Sequence, residues 1–260
     1  MSAIKIDAFV ISNEDYEEFD KILTVFTRQY GKLNLYAPGV NKSTSKNSYS
    51  VQNFSYSNFE IFKSKRSDKY SKLKTGYLIK DYYAITKSFT NYVYCSIIMK
   101  VTEQIFEFGQ KNYKFFDALV ICMENMESNR DAFKNYLMLL FFLLQNSRYK
   151  FHISKCSRCR KTNNRFVRFE HSNKTLICYK CIWPEEVKQP ISFIDLITTF
   201  DSLSFFEIIQ KKYNPHDLIV LHNILLDYFE YDLGFYIPPS KLLKNTSATN
   251  LNQKIIDLYK

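Results

Sequence analysis

The first 80 residues alternate hydrophobic and polar positions with a period of two, as half-buried β-strands do. Gly31 follows the turn residues Gln29 and Tyr30 and is expected to take the positive φ of a tight hairpin. Five short strands predict a small closed barrel, and an OB-like barrel accommodates that strand count. The predicted strands are IKIDAFVI, KILTVFT, KLNLYAPGV, NFSYSNFEIF and KLKTGYLIKDYY.

From Ala84 the apolar positions recur with a helical period. Asn214 suits a helix N-cap, and Pro215 suits the first helical position after it. Ser128 or Asn129 is expected to cap an earlier helix in the same way. The predicted helices span residues 84–109, 115–126, 131–146, 192–200, 204–212 and about 214–234.

Two pairs of cysteines interrupt the helices, with two residues inside each pair and eighteen between the pairs. Four thiolates in a tetrahedron are a ligand set that Zn2+ prefers, and they leave no open position for water or substrate. We therefore expect one structural Zn2+ per chain, with disulfides as the alternative. The predicted ligands are Cys156, Cys159, Cys178 and Cys181.

These patterns together predict an α+β chain. An OB-like barrel is expected at 1–80, a helical domain at 81–149 and 184–240, and an inserted zinc module at 150–183. The polar tail at 241–260 is expected to be loosely attached, with LNQKIIDLYK as a short last helix.

The charge balance favours an acidic partner. Lys and Arg number 36 against 26 Asp and Glu, which gives a net charge of +10, and such an excess is typical of nucleic-acid binding. Basic residues crowd the zinc module, where they either contact phosphate, offset the charge of the metal site or are simply solvated. The 20 Tyr and 23 Phe accompany few glycines, as in A/T-rich genomes, so aromatic abundance by itself does not indicate base stacking.

The start of the chain lacks the charged and apolar regions of a signal peptide. The most apolar run, Leu137 to Leu144, is shorter than the roughly 20 residues that span a bilayer. We expect a cytoplasmic, nucleoid-associated protein without membrane contact. Cys95 and Cys122 lie in apolar helical contexts and are expected in the core.

Cations on or near the predicted barrel are candidate phosphate contacts, and Tyr36 is a candidate base contact. Lys32 and Tyr36 lie four residues apart on one strand and are predicted to share a face. The candidate DNA-binding residues are Arg28, Lys32, Tyr36, Lys42, Lys46, Lys63, Lys65, Arg66 and Lys69. The sequence has no HExxH, GxSxG or P-loop motif, so we expect no enzyme.

The N-terminal stretch resembles the bacterial RecO family of recombination mediators. The resemblance rests on Thr27, Arg28, Gly31 and Lys32 of a hairpin, on the strand end at Ala37 and Gly39, and on the Ser-rich loop leading to Gln52 and Phe54. A Cys-x2-Cys directly after the middle helices also fits. Pro38 replaces a usual Lys or Arg, and Arg160 stands where glycine is common.

The resemblance implies binding to single- and double-stranded DNA and annealing of complementary strands. It also implies action with RecR to help RecA displace single-strand-binding protein, and contact with the acidic C-terminal tail of that protein. Such a tail needs an apolar pocket rimmed by cations, which we expect near the helices at 131–146 and 215–229. The candidate cations are Arg130, Arg148, Lys150, Lys211 and Lys212.

Two other functions stay open at this point. A zinc-stapled nuclease or other nucleic-acid-modifying enzyme would cut or modify strands in the presence of a divalent metal. A protein-docking adaptor would bind protein without salt-sensitive DNA binding.

Overall fold

A computed structural model of the chain describes residues 2–66 and 68–245. The chain divides into two compact units between Ala132 and Phe133. The first unit holds a barrel and three helices, and the second holds further helices and a small three-stranded sheet.

The barrel is closed by five strands in the order β1-β2-β3-β5-β4. Most contacts between neighbours are antiparallel, and β3 and β5 close the barrel with a short parallel pairing at Leu35–Ser71 and Tyr36–Lys72. This confirms the predicted α+β fold with an OB-like barrel. The strands are β1 (Ile4–Tyr16), β2 (Asp20–Thr27), β3 (Gly31–Ala37), β4 (Tyr56–Phe62) and β5 (Ser71–Lys80).

The predicted hairpin at Gly31 is confirmed, because Gly31 has a φ of +66° between β2 and β3. On β3 the side chains of Leu33, Leu35 and Ala37 point into the buried barrel core. Lys32 and Tyr36 share the opposite face, as the alternation of a strand requires.

Three helices belong to the same unit: α1 (Tyr83–Lys87), α2 (Phe89–Ile105) and α3 (Tyr113–Glu127). The predicted continuous helix from Ala84 is wrong at both ends of α2. Ser88 is extended and caps α2, accepting a hydrogen bond from the Asn91 N–H. At the other end Phe108 leaves the helix because it pairs with Lys32, and the Gly109 N–H donates to the Lys32 carbonyl at 2.9 Å.

Aromatic side chains join the barrel to these helices. Phe26 of β2 stacks on Phe106 at 4.8 Å between ring centroids and meets Phe115 of α3 at 5.4 Å. Phe9 of β1 contacts Phe116 of α3 at 5.5 Å. All five rings are buried, so the parts of β1 and β2 that carry Phe9 and Phe26 are covered rather than exposed to solvent.

The second unit begins with α4 (Ala132–Gln145), whose residues from Asn135 to Leu144 are all buried. Asn214 caps α7 by accepting a hydrogen bond from the His216 N–H at 2.9 Å, and Pro215 is the first helical residue, as predicted. The remaining elements are β6 (His152–Cys156), β7 (Phe166–Glu170), β8 (Thr175–Cys178), α5 (Ile191–Thr199), α6 (Phe205–Gln210), α7 (Pro215–Asp227), a π-helical turn (Tyr228–Asp232) and α8 (Pro238–Asn245).

The two compact units group α1–α3 with the barrel, whereas the sequence predicts one helical domain made of 81–149 and 184–240. The predicted domain boundaries stay predictions. The predicted last helix, LNQKIIDLYK, lies outside the described residues. Within the described part of the chain, no helix combines the length and the hydrophobicity needed to cross a bilayer.

Candidate metal centre and nucleic-acid surface

The four cysteines of the two Cys-x2-Cys pairs converge in the second unit. Their Sγ atoms all lie within 4.8 Å of one another, and none of them forms a disulfide. The Sγ atoms of Cys159 and Cys178 are 3.8 Å apart. Tetrahedral Zn–S bonds of about 2.3 Å place sulfur atoms about 3.8 Å apart, so the sulfur positions and the donor type fit zinc.

Short local structures bring the sulfurs together. Cys156 ends β6 and Cys178 ends β8, which are neighbours in the three-stranded sheet. After Cys159 the chain turns through Arg160, which has a φ of +63°, a conformation that favours glycine. The Cys181 N–H donates to the Cys178 carbonyl at 2.9 Å and forms the second tight turn.

Hydrogen bonds to sulfur prepare the site for thiolates. The Cys178 N–H points at the Cys156 Sγ at 3.4 Å, and Asn164 donates to the Sγ atoms of Cys159 and Cys178. Burial opposes ionisation of Cys156, but backbone N–H groups outweigh it and lower the pKa of this thiol to about 6. Burial and the neighbouring sulfurs raise the pKa of Cys181 to about 12, since adjacent thiolates repel one another unless a cation joins them.

Arg158, between the first two cysteines, anchors the segment that follows the last one. Its guanidinium makes a bidentate pair with Glu186, with N–O distances of 2.8 and 2.5 Å, and donates to the Cys181 carbonyl. The hydrogen bond from Arg158 is the main cause that lowers the pKa of Glu186 to about 2. The guanidinium also lies over the ring of Trp183. Arg158 is one of the basic residues of the zinc module, whereas no sequence motif pointed to Glu186 or Trp183.

A cleft of about 510 Å3 opens on the barrel between the β1–β2 turn, the end of β3 and the start of β5. The Tyr36 hydroxyl donates to Asp20, and this bond is the main cause that raises the pKa of Tyr36 to about 12. Tyr16 meets Tyr36 edge to face at 6.1 Å between centroids. The cleft is lined by Glu14, Tyr16, Glu17, Ile22, Tyr36, Tyr70, Ser71 and Lys72.

Models of the family described as Recombination protein O match this chain in two regions. The N-terminal model covers residues 1–82, and the C-terminal model covers residues 87–241. The chain belongs to the RecO family. The resemblance seen in the sequence is thereby confirmed, and a role in DNA repair and recombination follows from it.

Proteins named DNA repair protein RecO match over nearly the full chain. The one from Mesoplasma florum is 37% identical over 245 residues, which is 94% of this chain and 92% of the relative. Another from Mycoplasma mycoides subsp. mycoides SC is 29% identical over 250 residues, or 94% and 98% of the two chains. A more distant relative, from Alkaliphilus metalliredigens, is 27% identical over 228 residues, or 86% and 92%.

Two of the candidate DNA-binding cations of this RecO-family barrel are held by helices of the same unit. Arg28 makes a bidentate pair with Asp117 of α3, with N–O distances of 3.0 and 2.9 Å. Lys32 is only 8% exposed, and its ammonium donates to the Glu103 carbonyl at 2.5 Å. Burial lowers the pKa of Lys32. The Lys32 ammonium is therefore engaged inside this unit.

The other candidate cations are placed differently. Lys42, Lys46, Lys65 and Lys69 are exposed, whereas Lys63 is half-buried with its ammonium 5.1 Å from the centroid of the Tyr30 ring. Arg66 is exposed and pairs with Asp68 at 2.6 Å. Lys63, Lys65, Arg66 and Lys69 all lie on the loop between β4 and β5, next to the cleft residue Tyr70.

The candidate partner-binding cations do not belong to one unit. Arg130 lies in the first unit and the other four lie in the second. Arg148 contacts the Tyr149 ring at 4.8 Å, and Lys211 donates to Thr199 at 3.4 Å. Lys150 and Lys212 are exposed.

Proposed function

We propose that this RecO-family chain is a non-enzymatic recombination mediator that binds and anneals single-stranded DNA. It would act at the nucleoid and help load recombinase onto strands coated by single-strand-binding protein. The tyrosine-lined cleft of the barrel carries the DNA-binding part of the proposal. OB-folds bind oligonucleotides on the face of strands 2 and 3 and on the loops that follow strands 1 and 4, and the cleft is made from those loops and from β3.

The cleft suits bases better than phosphates. Tyr16, Tyr36 and Tyr70 supply aromatic faces, and the carboxylates of Glu14 and Glu17 repel phosphate. Cations for the phosphates lie beside it, on the loop from Lys63 to Lys69 and at Lys72. A strand with its bases in the cleft and its backbone along this loop satisfies both requirements without reading sequence.

The RecO family role gives the other partners in the proposal. RecR and the acidic tail of single-strand-binding protein would bind directly, and RecA indirectly. Because α4 is buried from Asn135 to Leu144, we look for the tail site elsewhere in the second unit. Lys211 and Lys212 directly follow α6, on which Phe206 is 59% exposed, so we propose that the tail first contacts this segment through its acidic residues.

For zinc, we propose a structural role at Cys156, Cys159, Cys178 and Cys181, with one ion per chain. A bound ion would join the ends of β6 and β8, and four sulfur ligands would leave no position for a substrate. Metal analysis of freshly reduced protein should give one zinc per chain. Cys156→Ser should abolish this zinc and unfold the module while the barrel keeps its β-sheet signal in circular dichroism.

Strand binding and annealing test the main proposal. Wild-type protein should bind single-stranded DNA and anneal complementary oligonucleotides without cutting them. Tyr36→Ala and Tyr70→Ala should each weaken binding about fivefold or more, since stacking contributes about 1–3 kcal/mol per base. Tyr77→Ala is the matched control, because Tyr77 is 73% exposed on β5 and is not a cleft residue.

Other outcomes would replace the proposal. Strand cleavage that depends on a divalent metal would favour the nuclease reading. Binding to single-strand-binding protein without salt-sensitive DNA binding would favour a docking adaptor. Equal losses in Tyr36→Ala and Tyr77→Ala would remove the cleft from the DNA-binding surface.

A further inference from the structure

A second cleft, of about 540 Å3, opens on the zinc module. It lies at the edge of β7, and no cysteine is among the residues that line it. Its volume is within the range of about 300–1,000 Å3 that is usual for small-molecule sites. The lining residues are Arg165, Val167, Tyr179, Lys188, Gln189 and Ile191.

Backbone hydrogen bonds hold both walls of this cleft in place. The Tyr179 N–H donates to the Arg165 carbonyl at 3.0 Å, and the Gln189 N–H donates to the Val167 carbonyl at 2.9 Å. The Gln189 side chain accepts a further bond from the Phe169 N–H at 2.7 Å. The segment around Lys188 is therefore attached to the edge of β7, and the backbone that carries the lining side chains is fixed.

The cations of the cleft are available to a ligand. Arg165 and Lys188 are exposed, and neither has an ion-pair partner among residues 2–66 and 68–245. Glu186 lies two residues before Lys188 in the sequence. Its carboxylate is already paired with the Arg158 guanidinium, with an N–O distance of 2.5 Å. The lining contains no carboxylate, in contrast to the barrel cleft.

The apolar groups of the cleft present open faces rather than an enclosed pocket. Tyr179 is 50% exposed and Ile191 is 55% exposed, whereas the third apolar lining residue, Val167, is buried. The Lys180 ammonium lies 5.7 Å from the centroid of the Tyr179 ring, and this exposed ring together with two unpaired cations matches a base and its flanking phosphates. The apolar tip of an acidic peptide would instead need a desolvated pocket.

We propose that this cleft binds one nucleotide of a single-stranded nucleic acid. The base stacks on Tyr179, and the flanking phosphates pair with Arg165 and Lys188. This inference rests on the DNA-binding function proposed above and adds a contact on the second unit, separate from the barrel cleft. Annealing brings two strands together, and a chain with two strand-binding surfaces can hold one on each.

Charge reversal in the zinc-loaded chain of 260 residues tests the phosphate contacts. Arg165→Glu/Lys188→Glu should weaken binding to an oligo-dT probe about tenfold more than the control, and should lower the salt slope by about 1.4, or 0.7 for each lost phosphate contact. The matched control is Lys155→Glu/Lys161→Glu, which makes the same charge change at two exposed lysines of the module outside the cleft.

Substitutions at Tyr179 test the stacking. Tyr179→Ala should weaken binding about fivefold or more, whereas Tyr179→Phe should bind as wild type because it keeps the ring. An oligonucleotide carrying 5-iododeoxyuridine should photo-crosslink to Tyr179, as located by peptide mass spectrometry. Zinc content and circular dichroism show whether each variant is folded. If Tyr179→Ala loses zinc, the charge variants and the crosslink test the cleft without it.

The outcomes separate this inference from the function on which it rests. A wild-type chain that fails to bind single-stranded DNA overturns both. A chain that binds DNA but crosslinks only within residues 1–132, with equal losses in the cleft and control variants, overturns the second cleft alone. Loss of acidic-peptide binding with unchanged oligonucleotide binding in Arg165→Glu/Lys188→Glu would assign the cleft to a peptide and also overturn the inference.

Discussion

The guanidinium of Arg158 lies 3.8 Å from the centre of the Trp183 ring. Arg158 sits inside the first cysteine pair, and Trp183 follows the second pair by two residues. Glu186, which pairs with Arg158, also accepts a hydrogen bond from the Trp183 N–H at 2.8 Å, so these contacts join the first cysteine pair to the segment after the second. The position of the ring therefore reports on the fold of the zinc module.

Removal of zinc should change the fluorescence of this ring. Trp183 is the one tryptophan in the chain, so all tryptophan emission comes from the module. Stripping the metal with a mercurial and a chelator should shift the emission to the red and increase quenching by acrylamide, since the cysteine turns that position Arg158 are released. Returning Zn2+ should restore the signal. An emission spectrum unchanged by complete metal removal would show that the module does not depend on zinc.

Alanine at Gly31 should destabilise the protein far more than alanine at Gly39. Both glycines have nearly the same positive φ, +66° and +65°, so both variants incur a backbone penalty of about 1–2 kcal/mol. A Cβ at Gly31 would also lie 1.9 Å from the Gln110 carbonyl oxygen, whereas at Gly39 the nearest atom is in the flexible Lys42 side chain at 3.6 Å.

Chemical denaturation of the two glycine variants would measure the difference. We expect Gly31→Ala to lose at least about 2 kcal/mol more unfolding free energy than Gly39→Ala, because the clash is with backbone rather than with a side-chain end. Equal losses of unfolding free energy in the two variants would mean that residues 107–111 can move away from the hairpin without destabilising the protein.

DNA affinity should fall steeply with salt. The logarithm of the affinity for single strands should decrease by about 0.7 per neutralised phosphate for each unit of log salt. Lys63→Glu/Lys65→Glu/Arg66→Glu should weaken binding to all sequences alike and reduce this slope. A control with the same charge change is Lys87→Glu/Lys114→Glu/Lys150→Glu, at exposed lysines that do not belong to the loop between β4 and β5. A salt-independent affinity, or a loss confined to one sequence, would contradict an electrostatic contact.

The hydrogen bond from Tyr36 to Asp20 should make stability fall at alkaline pH. It raises the pKa of the folded Tyr36 from the ordinary 10 to about 12. The neutral phenol is thus favoured in the folded state, so its contribution is complete below pH 10 and is lost as the pH rises from 10 to about 12.

Urea denaturation of wild type and Tyr36→Phe across that range would isolate this group. As the pH rises from 10 to about 12, the wild type should lose unfolding free energy relative to Tyr36→Phe. A constant difference would show that Tyr36 titrates alike in the folded and unfolded states.

The hydrophobic periodicity and the short residue spacings of the sequence determined the strands, the hairpin and the cysteine cluster of this protein. Alternation in the first 80 residues predicted the five strands, Gly31 predicted the hairpin, and the two cysteine pairs predicted the cluster of four sulfurs. These features depend on backbone geometry and on neighbours within a few residues, which a sequence displays directly. The end of α2 at Ile105 was missed because pairing of Phe108 with β3 overrides a continuous helical pattern, and the break at the extended Ser88 was missed as well.

Only the tertiary structure decided which charges are free. Arg28 and Lys32 looked like surface cations, but Asp117 and the Glu103 carbonyl bind them across 89 and 71 residues of sequence. Arg165 and Lys188 gave no separate signal, yet the edge of β7 brings them to one cleft with Tyr179. The availability of a charge depends on contacts between residues far apart in the chain. Those contacts exist only once the hydrophobic core has set the strands and helices side by side.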